Sequence, residues 1–122
     1  KKKKSTFKLV TFAAEPASAG TPYTMYTVAG STTAVVLGLR LSNIHTTSVT
    51  VEVDLVSDTA NRGGSNNVAN TTCKLVPNVV VPAKSSLEVN ISKINMEATD
   101  AIQIDCSVAD KISGALSIME IT

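Results

Sequence analysis

Val49-Thr50-Val51-Glu52-Val53-Asp54-Leu55 alternates apolar and polar residues without a break, the period-2 signature of a strand with one dry face and one wet face. Val49, Val51, Val53 and Leu55 make the dry face. Just upstream, Val35, Leu37, Leu39 and Leu41 repeat the pattern, with Gly38 and Arg40 on the opposite side. The polar run Ser42-Asn43-Ile44-His45-Thr46-Thr47-Ser48 joins the two, as a hairpin or as a corner between sheets. Two strands with this much apolar surface are not stable alone, so the rest of the chain must supply strands that cover them.

The bulk numbers agree with that demand. At 122 residues the chain has the size of one domain and buries enough surface to fold without staples. Only four residues are aromatic and none is Trp, so the core is built from Val, Ile, Leu and Ala, and β-branched packing favours strands. Tyr23-Thr24-Met25-Tyr26-Thr27-Val28, residues 72–76, 86–91 and 101–107, and Ala115-Leu116-Ser117-Ile118-Met119-Glu120-Ile121 all read as further strands, separated by Gly, Pro, Asn and Asp. Thr6 to Phe12 makes a first strand, expected to be covered because an apolar β segment at a chain end aggregates when unpaired. In the last strand Leu116 and Ile118 share one face while Met119 and Ile121 share the other. A bulge, or burial of both faces by a neighbouring subunit, accounts for this. The sum is an all-β chain: a single β-sandwich, immunoglobulin-like or jelly-roll-like, of seven to nine short antiparallel strands. It divides into a basic arm with the first strand (1–20) and the sandwich proper (21–122).

Charge sets the partner classes. The formal net charge is +1, and Lys1, Lys2, Lys3 and Lys4 supply four of the basic residues, so the body is slightly acidic and a nucleic-acid-binding body is disfavoured. Like charges at that density repel unless partnered, which makes Lys1 to Lys4, with Phe7 just beyond them, a candidate arm for an acidic neighbouring subunit. The second candidate contact is the aperiodic polar stretch of residues 57–70, with Asn61, Arg62, Asn66 and Asn67 at its tip, since long connections in compact domains are usually functional. Its Gly63-Gly64 lacks the lysine motif and helix of a phosphate loop. No apolar run reaches the length of a membrane span.

Little here performs chemistry. His45, the single histidine, sits in the polar corner, where a solvated turn residue is the expected role. Cys73 and Cys106 fit no metal or redox spacing and are expected to be two buried apolar thiols. Glu52 and Asp54 lie on the wet face of one strand, and Asp58, Asp100, Asp105 and Asp110 fall in or near turns, where they serve solubility and capping. No twelve-residue calcium loop is present. The reading is a non-enzyme without catalytic, cofactor or metal residues.

Taken together, several segments resemble the short virion structural proteins of tailed bacteriophages, of the marine and cyanobacterial type. They are Tyr23-Thr24-Met25-Tyr26-Thr27-Val28 before Ala34-Val35-Val36-Leu37-Gly38-Leu39-Arg40-Leu41-Ser42-Asn43, then Ser48 to Val53, Leu75-Val76-Pro77-Asn78-Val79-Val80-Val81-Pro82-Ala83-Lys84-Ser85-Ser86-Leu87-Glu88-Val89, Asn95-Met96-Glu97-Ala98-Thr99-Asp100-Ala101-Ile102-Gln103-Ile104, and Ser117-Ile118-Met119-Glu120-Ile121-Thr122. The chain departs from the pattern in the polar insert near Arg62 and at Thr99, where glycine suits the turn better. The resemblance implies a sandwich present in many copies on a particle, decorating the capsid or attached at the neck or tail, with other virion proteins as partners. Val36, Tyr26, Met119 and Ile121, read as outward-facing, would meet those partners. A carbohydrate-binding or adhesion module is the alternative, with the scarcity of aromatic rings against it.

Overall fold

The alternation of Val49-Thr50-Val51-Glu52-Val53 is reproduced in the burial of the folded chain. A computed structural model describes residues 3–57, 59, 69–91 and 93–122. Within it Val49, Val51 and Val53 are buried and Thr50, Glu52 and Asp54 are half-buried on the other side. Nine strands are present among the described residues: β1 (Ser5–Glu15), β2 (Tyr23–Thr27), β3 (Thr33–Asn43), β4 (Val49–Val56), β5 (Cys73–Val81), β6 (Ser86–Val89), β7 (Asn95–Met96), β8 (Ala101–Cys106) and β9 (Ile112–Ile121). They form two antiparallel sheets, one in the order β1-β9-β3-β6 with β7 also on β3, the other in the order β2-β8-β4-β5.

This order nests early strands against late ones, β1 with β9, β2 with β8, β3 with β6 and β4 with β5. It is the order of a jelly roll, in which a long antiparallel ribbon is wrapped over itself. Of the two sandwich types the sequence allowed, the chain adopts this one. The connection 44–48 is therefore a corner and not a hairpin: β3 belongs to the first sheet and β4 to the second. The two sheets close over one apolar core that includes Leu41, Met96, Ile102, Ile104, Ile112, Leu116 and Ile118, each under 2% exposed. Removing a side chain of that size from water stabilises by roughly 1.5–3 kcal/mol.

A buried asparagine pins the corner. Asn43 is 1% exposed, and its Nδ2 donates to the carbonyls of Thr47, Val81 and Pro82 at 3.0, 3.0 and 3.1 Å while its Oδ1 accepts the His45 amide at 2.8 Å. All its polar groups are satisfied in an apolar setting, which is what makes a buried amide tolerable. The end of β3 is thereby tied to the end of β5 across the sandwich.

Three departures from simple alternation alter the sequence reading. In β3 the pairing with β9 shifts between Val36 and Gly38, so Leu37 is an extra residue that inverts the phase. Ala34 and Val36 point inward before it, Leu39, Leu41 and Asn43 after it, and Leu37 is 45% exposed. Val36, expected on the outside, is fully buried. In β5 the pairing shifts around Pro77 and Asn78, with Asn78 at φ 62, so the strand read at 72–76 continues past Pro77 to Val81 as one bulged edge strand. In β9 the alternation is unbroken. Ile112, Leu116 and Ile118 face inward with Glu120, and Met119 and Ile121 lie on the outer face. No bulge within β9 is needed to explain its two apolar sets.

Candidate functional site

Among the described residues β1 is the edge of the first sheet, paired with β9 alone. Lys4 and Thr122 exchange backbone hydrogen bonds of 3.0 and 2.9 Å, and Cα partners then follow in step from Ser5 with Ile121 to Phe12 with Gly114. Hydrogen-bonded and non-hydrogen-bonded pairs alternate along an antiparallel ladder, so even-numbered residues spend their N–H and C=O on β9. Ser5, Phe7, Leu9 and Thr11 aim theirs at the open edge. The same odd-numbered residues carry their side chains on the outer face, where Phe7 is 73% and Leu9 66% exposed. The expectation that the first strand is covered thus holds only on its inner side, where Phe12 is buried with its ring 5.3 Å from that of Tyr23.

Outward apolar residues of neighbouring strands extend the patch. Phe7 and Val35 are both Cα partners of Met119, and Ser5 and Thr33 are both partners of Ile121. The outer row Phe7, Met119, Val35 therefore crosses three strands. Of the sequence-predicted contact residues, the structure brings together Lys3, Lys4 and Phe7 at the start of β1, all exposed. Lys1, Lys2, Asn61, Arg62, Asn66 and Asn67 lie outside the described residues. Leu9 was missed, because in Phe7-Lys8-Leu9-Val10-Thr11-Phe12 both phases are apolar and the sequence does not say which faces in.

A polar chain links the two sheets beside this patch. The Tyr26 hydroxyl of β2 donates to Glu120 Oε2 at 2.6 Å, and Lys8 Nζ lies 3.0 Å from Glu120 Oε1. Burial, then the hydrogen bond to Glu120 and its negative charge, push the Tyr26 hydroxyl far above the usual phenol range. The hydrogen bonds from Tyr26 and Lys8 hold the Glu120 carboxyl below its usual range. Tyr26 is therefore turned toward the first sheet and is not an outward contact.

On the other side of the molecule, the outer face of the second sheet is acidic. Glu52 and Asp105 are Cα partners on β4 and β8, and Asp54 is opposite Lys74 on β5. Lys74 Nζ lies 2.6 Å from Glu52 and 3.8 Å from Asp54. The Lys74 hydrogen bond lowers the Glu52 pKa, while burial and the adjoining Glu52 raise that of Asp54. Asp54 Oδ1 is buried and has no hydrogen-bond partner. A recess of about 230 Å³ beside these groups is lined by Gly20, Thr50, Glu52, Asn78, Asp105 and Ser107. Among the described residues no group of three His, Cys, Asp or Glu side chains could hold a metal ion, and no helix is long and apolar enough to cross a membrane.

The cysteines depart from expectation. Cys106 is buried, but Cys73 is exposed on edge strand β5, and both are free. Cys73 pairs with Leu55 near the end of the strand. His45 is half-buried at the corner, its amide held by Asn43.

No protein-family model matches the chain, and no curated protein matches it. Solved structures do. A chain of the viral particle of infectious bursal disease virus aligns at a TM-score of 0.54 and 10% identity, over 96% of this chain and 30% of that one. A chain of the Gx strain of the same virus aligns at 0.53 and 11%, over 97% and 32%. This chain thus spans about a third of the length of those relatives. The capsid of a Helicobacter pylori bacteriophage also aligns, at 14% identity over 99% of this chain and 94% of that one, with a TM-score of 0.44 that is too low to bear on the argument. At such identities the likeness to the viral chains is one of fold: two antiparallel sheets in a sandwich.

Proposed function

We propose that this chain is a virion structural subunit, decorating a capsid or attached at a phage neck or tail and stabilising the particle through contacts between subunits. The observation that carries the reading is the pairing of a closed core with an apolar outer face. Twelve large side chains are under 2% exposed inside the sandwich, yet Phe7, Leu9 and Leu37 are left in solvent on one sheet, a distribution that suits a surface covered by a neighbour. The fold shared with chains of infectious bursal disease virus particles agrees with this role, as an analogy at the level of fold. In this reading residues 21–122 form the body, and residues 1–20 supply a basic arm and first strand that reach other virion proteins. Residues Asn61, Arg62, Asn66 and Asn67 offer a second contact.

The test is incorporation. Particles assembled with the full chain and with a variant lacking Lys1 to Lys4 are compared for occupancy and for retention of the subunit in high salt. Reduced occupancy or salt-sensitive loss is expected, because exposed charge contacts are screened. Unchanged occupancy and salt resistance remove the arm from the reading, and absence of the full chain from purified particles removes the reading itself.

A further inference from the structure

The open edge of β1 has a feature of its own: it is self-complementary. Ser5, Phe7, Leu9 and Thr11 present free N–H and C=O groups along one line, with the exposed Phe7 and Leu9 side chains on the same residues. Long apolar edges invite another strand, and proteins usually block them with lysine, proline or a bulge. Here the blocking devices leave the middle clear. Lys8 is drawn back onto Glu120 of its own sheet, no proline lies between Ser5 and Glu15, and the bulge comes only after Phe12.

We propose that two copies of this chain pair antiparallel through β1 about a twofold axis at Leu9. In this register Leu9 exchanges both backbone hydrogen bonds with Leu9 of the second copy, Phe7 lies opposite Thr11, and Ser5 lies opposite Ala13. The charges choose among registers. An axis at Lys8 sets two like charges face to face, which is unfavourable for directly opposed residues. An axis at Phe7 leaves Glu15 beyond the end of the ladder. The axis at Leu9 places Lys8 beside Val10 and carries Lys3 and Lys4 of each copy to Ala14 and Glu15 of the other, so that opposite charges meet at both ends. The regular ladder ends at Phe12, where the bulge begins, and Ser5, Lys4 and Lys3 lie alongside Ala13, Ala14 and Glu15 beyond it. The pairing joins two five-stranded sheets into one continuous sheet and sets Leu9, Phe7 and Met119 of both copies in a single apolar band. A twofold contact of this kind is isologous and closes on itself.

This inference deepens the structural-subunit reading and rests on it for its setting, but its test needs only the purified full chain, so either can fail without the other. Light scattering with size-exclusion chromatography, from about 1 µM to about 1 mM, is expected to show a monomer–dimer equilibrium. Leu9→Pro removes the two central hydrogen bonds across the axis while sparing the ladder to β9, a placement that proline tolerates on an edge. It is expected to weaken dimerisation by about tenfold or more. Lys3→Glu with Lys4→Glu weakens it further at low salt, and Glu15→Lys added to that pair restores it. In the wild type at high concentration, the amides of Phe7, Leu9 and Thr11 gain protection from hydrogen exchange. A chain that stays monomeric throughout, a dimer insensitive to Leu9→Pro or to the charge reversals in folded variants, or unprotected amides at these three residues overturns the proposal. Monomeric chain whose β1 amides become protected only inside a particle assigns the edge to a different virion protein and equally overturns the second copy as its occupant.

Discussion

β4 and β1 are both strands with alternating apolar residues, and they end in opposite circumstances. β4 lies between β8 and β5 in the second sheet; its valines enter the core and its carboxylates face out. β1 has one neighbour, and while Phe12 enters the core, Phe7 and Leu9 stay in water. Alternation guarantees that a strand has two distinct faces. Which of them is dry depends on what the rest of the chain, or another chain, lays over it. Apolar groups on the inner face of β4 stabilise the folded chain; those on the outer face of β1 remain in water and add nothing to it.

The sharpest way to break that contrast is to truncate one leucine of each kind. Leu116, fully buried on β9, should lose about 2–5 kcal/mol on Leu116→Ala, whereas Leu9→Ala should leave the denaturant midpoint of dilute chain nearly unchanged; equal losses would show that β1 is already covered in the monomer. Asn43→Ala comes next, at about 1–3 kcal/mol, because it takes the side-chain donor away from the buried carbonyl of Val81; urea unfolding measures it. Thr99 sits at φ 75 in a turn, a left-handed conformation that costs a β-branched residue about 1–2 kcal/mol. Thr99→Gly should therefore raise stability by up to about 1 kcal/mol after the entropic cost of glycine, seen as a higher melting temperature.

The two smallest effects concern pH, and they have opposite signs. Glu120 has a lowered folded pKa from an ordinary 4.5, so its contribution is complete above 4.5 and fades as pH falls through the folded value. Melting curves of Glu120→Gln and wild type should differ by under about 1 kcal/mol at neutral pH and converge in acid. Asp54 is raised from 3.8, so its stabilising state is the protonated one, present below 3.8 and lost as pH rises through the folded value. Asp54→Asn should accordingly be slightly more stable than wild type at pH 7 and lose that advantage below pH 4. Persistence of the advantage in acid would mean that packing, not charge, is responsible.

Much of the fold could be read from residues whose neighbours in sequence decide their direction. Val49, Val51 and Val53 alternate as read and are buried accordingly, and the strands read at 86–91 and 101–107 bury Val89, Ile91, Ile102, Ile104 and Cys106. Thr99, singled out as a place for glycine, has the positive φ that glycine would favour. What escaped was non-local. Leu37 looks like another inward leucine until β9 is laid beside β3 and one residue is found to be surplus. Cys73 looks as apolar as Cys106 until its strand proves to be an edge. Asn43 looks like a turn residue until carbonyls from the far end of β5 close around it. The candidate contact surface was legible as a lysine arm, Phe7 and the outward Met119 and Ile121; the outward set on β1 depended on strand order, which no local pattern encodes.

The position of β9 governs how the molecule can be made. It is the last of the described strands in sequence, yet it lies between β1 and β3. A ribosome adding about 5–20 residues per second releases β3 well before the strand that must separate it from β1. Until Ile112 to Ile121 has been synthesised, the first sheet has no centre. Each of its pairings with β1 joins segments about a hundred positions apart, the kind of closure that slows folding. Completion of this sheet therefore waits on the synthesis of Ile112 to Ile121, and a nascent chain interrupted before Ile112 has begun the sandwich without the centre of its first sheet.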